Sequence, residues 1–145
     1  MRSELLEAAL GYAAEGLRVF PVAPRGKKPL VSGWPSAATT DPDQIRAWWA
    51  QWPDANIGAV TGGGRFVLDV DDLGSLAALE AEIGPIPRDK VARTGGGGLH
   101  VWLAAEGELR NSASKIGPGL DIRADGGFVV MPPSIHESGA RYEWI

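Results

Sequence analysis

Leu5, Leu6, Ala9, Leu10 and Ala13 recur at three- and four-residue intervals, the spacing that gathers apolar side chains on one face of an α-helix. The pattern predicts a helix over residues 3–15, with Gly16 as its stop. Residues 17–22 read as a strand, and residues 23–40 as irregular chain with Pro, Gly and the pair Lys27-Lys28. Thr40-Asp41-Pro42-Asp43 predicts a helix start: a capping side chain precedes Pro in the first turn, and an acid lies near the positive end of the helix dipole. That helix runs to about Gln51 and carries Ile45, Trp48, Trp49 and Trp52, a mixture of core and helix surface. Strands over 56–60 and 65–70 lie either side of Thr61-Gly62-Gly63-Gly64, and a short helix over 75–83 closes at Gly84-Pro85.

Beyond it the pattern is mostly β. Segments 91–94 and 99–103 flank the four glycines Gly95 to Gly98. Segments 119–123 and 128–131 flank Ala124-Asp125-Gly126-Gly127, a glycine-containing hairpin signal that also accounts for Asp125. A last strand runs from about Arg141 to the end, which predicts a domain excised from something longer. Helical units with strands, followed by a β-rich half, make an α+β pattern.

The 145 residues suit one domain, and 44% hydrophobic with 22% charged residues excludes a disordered tail. The absence of Cys excludes disulfides, thiolate zinc sites and Cys nucleophiles. No apolar run reaches the roughly 18 residues of a membrane span. Glu4 precedes the first apolar stretch, unlike a signal peptide, so a cytoplasmic protein with no membrane partner is expected. With 14 basic and 18 acidic residues the net charge is −4, which by itself argues against a nucleic-acid partner.

Candidate chemistry changes that picture. Phe66-Val67-Leu68-Asp69-Val70-Asp71-Asp72 sets two acids two residues apart after an apolar run. On a strand both side chains share one face, with Cα atoms about 6.6 Å apart. Two carboxylates that close repel unless a cation or a proton intervenes, and a hard divalent cation with oxygen ligands resolves the conflict. The alternative is a turn cap or a salt bridge. Asp72 points the other way and reads as the cap of the helix near Ser75. In Thr94-Gly95-Gly96-Gly97-Gly98-Leu99-His100, the glycines offer backbone N–H groups to phosphates, and His100 follows on a strand. No Gly-Lys-Ser/Thr follows and the run joins strand to strand, so it is neither a P-loop nor a dinucleotide fingerprint. The alternative is a hairpin turn with a surface His. In Gly119-Leu120-Asp121-Ile122-Arg123, Asp121 and Arg123 share a face, suited to a site for metal and phosphate or to a local ion pair.

In this order, Asp-x-Asp at the end of an apolar strand, Gly-Gly-x-His on a strand and Gly-Leu-Asp-Ile-Arg, the chain resembles the bifunctional DNA primase/polymerase domain of the archaeo-eukaryotic primase superfamily. Gly26-Lys27-Lys28-Pro29-Leu30, Gly33-Trp34, Ala55-Asn56-Ile57-Gly58 and the run from Gly126 through His136 extend the resemblance over nearly the whole chain. It implies a small N-terminal α/β unit packed on a β-rich module like the RNA-recognition motif, with the site in the cleft between. It also implies Asp69, Asp71 and Asp121 as ligands of two Mg²⁺ or Mn²⁺ ions, and His100 as a contact to the triphosphate of the incoming nucleotide.

The expected activity is metal-dependent transfer of nucleotides from dNTPs or NTPs to a 3′-hydroxyl on a single-stranded template or primer-template. The expected setting is replication of a phage, plasmid or other mobile element, with a helicase as partner. Arg123 is expected to make a second phosphate contact, with Ser134, His136 and the Lys27-Lys28 loop as further candidates for nucleotide or template contact. Two divalent ions would bring the formal charge of −4 to zero. The alternatives are a metal-dependent nuclease or phosphohydrolase, and a non-catalytic nucleotide- or DNA-binding module. A rolling-circle nicking enzyme is disfavoured, since it needs paired histidines and a nucleophilic Tyr, and the only tyrosines are Tyr12 and Tyr142.

Overall fold

The Ser3 hydroxyl accepts the Leu6 N–H at 3.0 Å and starts α1 (Glu4–Ala14), which leads into β1 (Val19–Val22). A one-turn helix, α2 (Trp34–Ala37), interrupts the segment expected to be irregular. Asp41 caps α3 (Pro42–Gln51) through the Asp43 N–H at 3.0 Å. Then come β2 (Asn56–Val60), β3 (Arg65–Val70) and α4 (Leu73–Ile83), the last capped as expected by Asp72, whose carboxylate accepts the N–H groups of Gly74 and Ser75. The remaining elements are β4 (Val91–Arg93), β5 (Leu99–Ala104), β6 (Ser112–Ala113), β7 (Leu120–Arg123), β8 (Phe128–Met131) and β9 (Glu143–Trp144). This computed structural model describes residues 3–104, 112–113 and 116–145.

The chain divides into two compact units, Met1–Val60 with Phe128–Tyr142, and Thr61–Gly127 with Glu143–Ile145. The first holds an antiparallel three-stranded sheet in the order β1-β2-β8, with α1 and α3 packed together and against β1. Its buried residues include Ala9, Val19, Phe20, Val22, Ile45, Trp49, Ile57 and Met131. The Trp49 indole donates to the Ala55 carbonyl at 3.0 Å, so its polar edge is satisfied inside the core.

The second unit holds an antiparallel six-stranded sheet in the order β6-β7-β3-β5-β4-β9. Leu68, Val70, Val91, Val101 and Leu120 form a core with Leu76 of α4, joined by Leu79, Ile86, Leu99, Leu103 and Ile122. The alternation in β3 is therefore decisive: Leu68 and Val70 take the helix side, which sends Val67 and Asp69 to the opposite face.

The expected hairpin across residues 124–127 does not form. β7 pairs with β3 and β6, while β8 pairs with β2 in the other sheet. The turn itself closes, with the Gly127 N–H donating to the Ala124 carbonyl at 3.0 Å, and residues 61–63 bind to it. Thr61 donates its hydroxyl to the Ala124 carbonyl at 2.6 Å and its N–H to Gly127 at 3.0 Å, and the Asp125 carboxylate accepts the Gly63 N–H at 3.1 Å. Two chain connections are thus tied side by side, and the turn joins strands that pair elsewhere.

Candidate functional site

The pairing register of the central strands places three chemical groups in one row. Asp69 in β3 lies directly opposite Asp121 in β7 on one side and opposite His100 in β5 on the other. Residues directly opposite in antiparallel strands share a face, with Cα atoms about 4.5–5.5 Å apart. Asp121, Asp69 and His100 therefore stand abreast on the face turned away from the α4 core. Arg123, two residues on from Asp121, shares that face and sits opposite Val67.

The side chains meet. His100 Nε2 is 3.4 Å from Asp69 Oδ1, and Arg123 reaches Asp121 Oδ2 at 3.4 Å through Nη2 and Asp69 Oδ2 at 4.0 Å through Nε. Asp69 keeps 15% of its side-chain exposure, Asp121 19% and His100 8%, so the acids are largely withdrawn from water yet reachable. Of its two readings, Arg123 makes the local ion pair with Asp121. Its contact with Asp69 depends on register and has no local signal in the sequence.

Asp71 follows the end of β3. Its N–H donates to the Gly119 carbonyl at 2.8 Å, which carries the β3–β7 ladder one bond further, and the residue is exposed. The backbone under this end of the sheet requires glycine at two points. Gly119 has a φ of +69°, and an added Cβ would lie 2.9 Å from Asp72 Cβ. A Cβ at Gly98 would run into the Val70 carbonyl oxygen.

The glycine run is a hairpin turn between β4 and β5. The Thr94 carbonyl accepts the Gly97 N–H at 3.0 Å, and the Thr94 hydroxyl oxygen accepts the Gly98 N–H at 3.0 Å. Those two donors are engaged, so the expectation that they serve a phosphate is corrected. The alternative of a surface His fails as well, since His100 is buried within the sheet.

Ser134 and His136 lie in the first unit. Ser134 is fully buried, and its hydroxyl oxygen accepts the Ile57 N–H at 2.8 Å, a bond that ties its loop to β2. His136 and Lys27 line one groove together with Gly26, Glu137 and Tyr142.

Asp69, Asp71 and Asp121 offer carboxylate oxygens, the donor chemistry of a hard divalent ion, and Arg123 supplies positive charge between two of them. Among the described residues, no group of three or more His, Asp or Glu side chains is gathered to hold a metal ion in the arrangement seen. No helix among the described residues is long and apolar enough to cross a membrane. No curated protein matches the chain. A family model described as bifunctional DNA primase/polymerase, N-terminal, matches residues 9–145.

Proposed function

The chain belongs to the bifunctional DNA primase/polymerase N-terminal family, and from that membership we propose that it catalyses template-directed transfer of nucleotides from nucleoside triphosphates to a 3′-hydroxyl, releasing pyrophosphate. The observation that carries the proposal is the row Asp121, Asp69 and His100 on three adjacent strands, with Arg123 beside it. Such a row combines groups that attract cations with groups that donate to phosphate. The order β7-β3-β5-β4, with α4 leading from β3 to β4, supports reading the second unit as a module like the RNA-recognition motif. In that motif the open sheet face receives nucleic acid.

In the proposed mechanism Asp69, Asp71 and Asp121 would hold Mg²⁺ or Mn²⁺, which would supply activation of the attacking hydroxyl and offset charge on the departing pyrophosphate. His100 donates a hydrogen bond to a phosphate oxygen of the incoming nucleotide, oriented by its contact with Asp69. Arg123 exchanges its bonds to the carboxylates for bonds to a second phosphate oxygen, a switch that its planar fork of donors suits. The same reading makes this the catalytic part of a replication protein of a phage, plasmid or other mobile element, working beside a helicase.

The test incubates the 145-residue chain with a primed template, labelled dNTPs and Mn²⁺ or Mg²⁺. Strand growth with pyrophosphate release is expected, and Asp69→Ala is expected to abolish it. An Asp69→Ala protein that extends like wild type removes the carboxylate model, and strand shortening without pyrophosphate reassigns the acids to hydrolysis.

A further inference from the structure

We propose that the first unit carries a phosphate-binding groove. The groove measures about 250 Å³ and is lined by Gly26, Lys27, His136, Glu137 and Tyr142. One wall is a tight turn in which Ala23 N–H donates to the Lys28 carbonyl at 2.8 Å and Gly26 N–H to the Ala23 carbonyl at 3.1 Å. That turn exposes Arg25, Lys27 and Lys28. The other wall is the turn after Ile135, where His136 N–H donates to Ala140 and Gly139 N–H to His136, both at 2.8 Å.

A buried amide fastens the two walls together. Asn56 is 1% exposed, and its Nδ2 donates to the carbonyls of Gly26 at 3.2 Å and Ile135 at 2.8 Å. Its Oδ1 accepts the Ile135 N–H at 2.9 Å. Burying an amide is costly unless it is bonded, and here the bonds set the spacing of two loops. The groove is therefore held by the fold rather than left to its surface side chains.

The lining chemistry suits an anion with several oxygens. Lys27 has no ion-pair or hydrogen-bond partner for its ammonium among the described residues. Nδ1 of His136 accepts the Ser138 N–H at 3.1 Å. A backbone N–H can only donate, so the neutral ring carries its proton on Nε2, which is then a donor. Glu137 is the one acid in the lining, and Arg25 leans over it, donating to the Glu137 carbonyl at 3.4 Å. Arg25, Lys27 and Lys28 against Glu137 leave this corner positive in a chain of net charge −4. The choice of phosphate over other anions rests on the proposed nucleotidyl transfer. The phosphate is carried either by a DNA strand or by a nucleoside triphosphate.

Binding of a fluorescent single-stranded dT20 and of dTTP to the full chain, measured without divalent metal over a salt series, tests the site. Lys27→Glu is expected to weaken one of the two by about five- to tenfold while Lys27→Arg stays within about twofold of wild type. If the strand is the ligand, the salt slope falls by about one phosphate contact. If the triphosphate is the ligand, only the dTTP arm moves. His136→Ala, on the opposite wall, is expected to act in the same arm and serves if Lys27→Glu does not fold. Wild-type affinity for both probes in folded Lys27→Glu and His136→Ala, or no binding of either probe by the wild type at low salt, overturns the groove. Because no metal or extension is needed, these results are independent of whether the chain polymerises. Asp69→Asn, expected to lose extension and keep dT20 binding, separates the two failures.

Discussion

Two carboxylates set directly opposite on neighbouring strands repel at close range, and a sheet built for stability alone would not keep them. Asp69 and Asp121 are tolerated because His100 and Arg123 stand against them. Asp69→Asn removes one of the two charges and keeps the shape. Its melting temperature is therefore expected to stay close to wild type or rise, while primer extension falls by ~10²–10³-fold, the scale of losing one preorganised electrostatic group in an active site. Arg123→Ala is expected to raise the KM for dNTP by about tenfold with a smaller change in kcat, and steady-state kinetics at saturating metal reads this split. The acids, His100 and Arg123 were legible as candidates because residue type and a period of two place them on strand faces. That Arg123 also reaches Asp69, and that Asn56 joins two distant loops, required contacts between segments far apart in the chain.

At the scale of elements, local signals served helices best. Asp41 and Asp72 cap α3 and α4 where their spacing predicts, because a cap is a bond between near neighbours. Asp72→Ala is expected to cost about 1 kcal/mol of stability in denaturant titration. The end of α4 is held by Glu80, whose carboxylate accepts from Arg88 Nη2 at 2.7 Å and from the Ile86 N–H at 2.8 Å. The Arg88 bond first, and the Ile86 N–H second, hold the Glu80 carboxyl below its ordinary value of 4.5. A depressed folded-state pKa stabilises above the unfolded value, and the contribution is lost as pH falls through the lowered one. Wild type is therefore expected to out-melt Glu80→Gln at neutral pH, with the gap closing on acidification below 4.5. The hairpin expected at 124–127 failed for the opposite reason: turn residues specify a bend, while the partners of the strands on either side are chosen by sheets elsewhere.

For the whole molecule, a net charge of −4 and the three acids of the proposed site predict weak grip on DNA without metal. A ligand that binds only the folded state raises its melting temperature by mass action. Millimolar Mn²⁺ is therefore expected to raise the melting temperature of wild type and leave that of the Asp69→Asn protein nearly unchanged, and a chelator is expected to reverse the rise.

Hydrophobic periodicity, capping side chains and the order of the acidic and histidine motifs were enough to determine the three longer helices, most strand segments and the family, though not α2 or β6, because these are short-range properties written in neighbouring residues. Which strands became neighbours was decided in three dimensions. β2 and β3 are consecutive in the chain yet belong to different sheets, as do β7 and β8, because each sheet selects the pairing that buries its own apolar face. The register that sets Asp121, Asp69 and His100 abreast follows from the same burial, with Leu68, Val70 and Leu120 claimed by the α4 core and the polar residues turned to the other side.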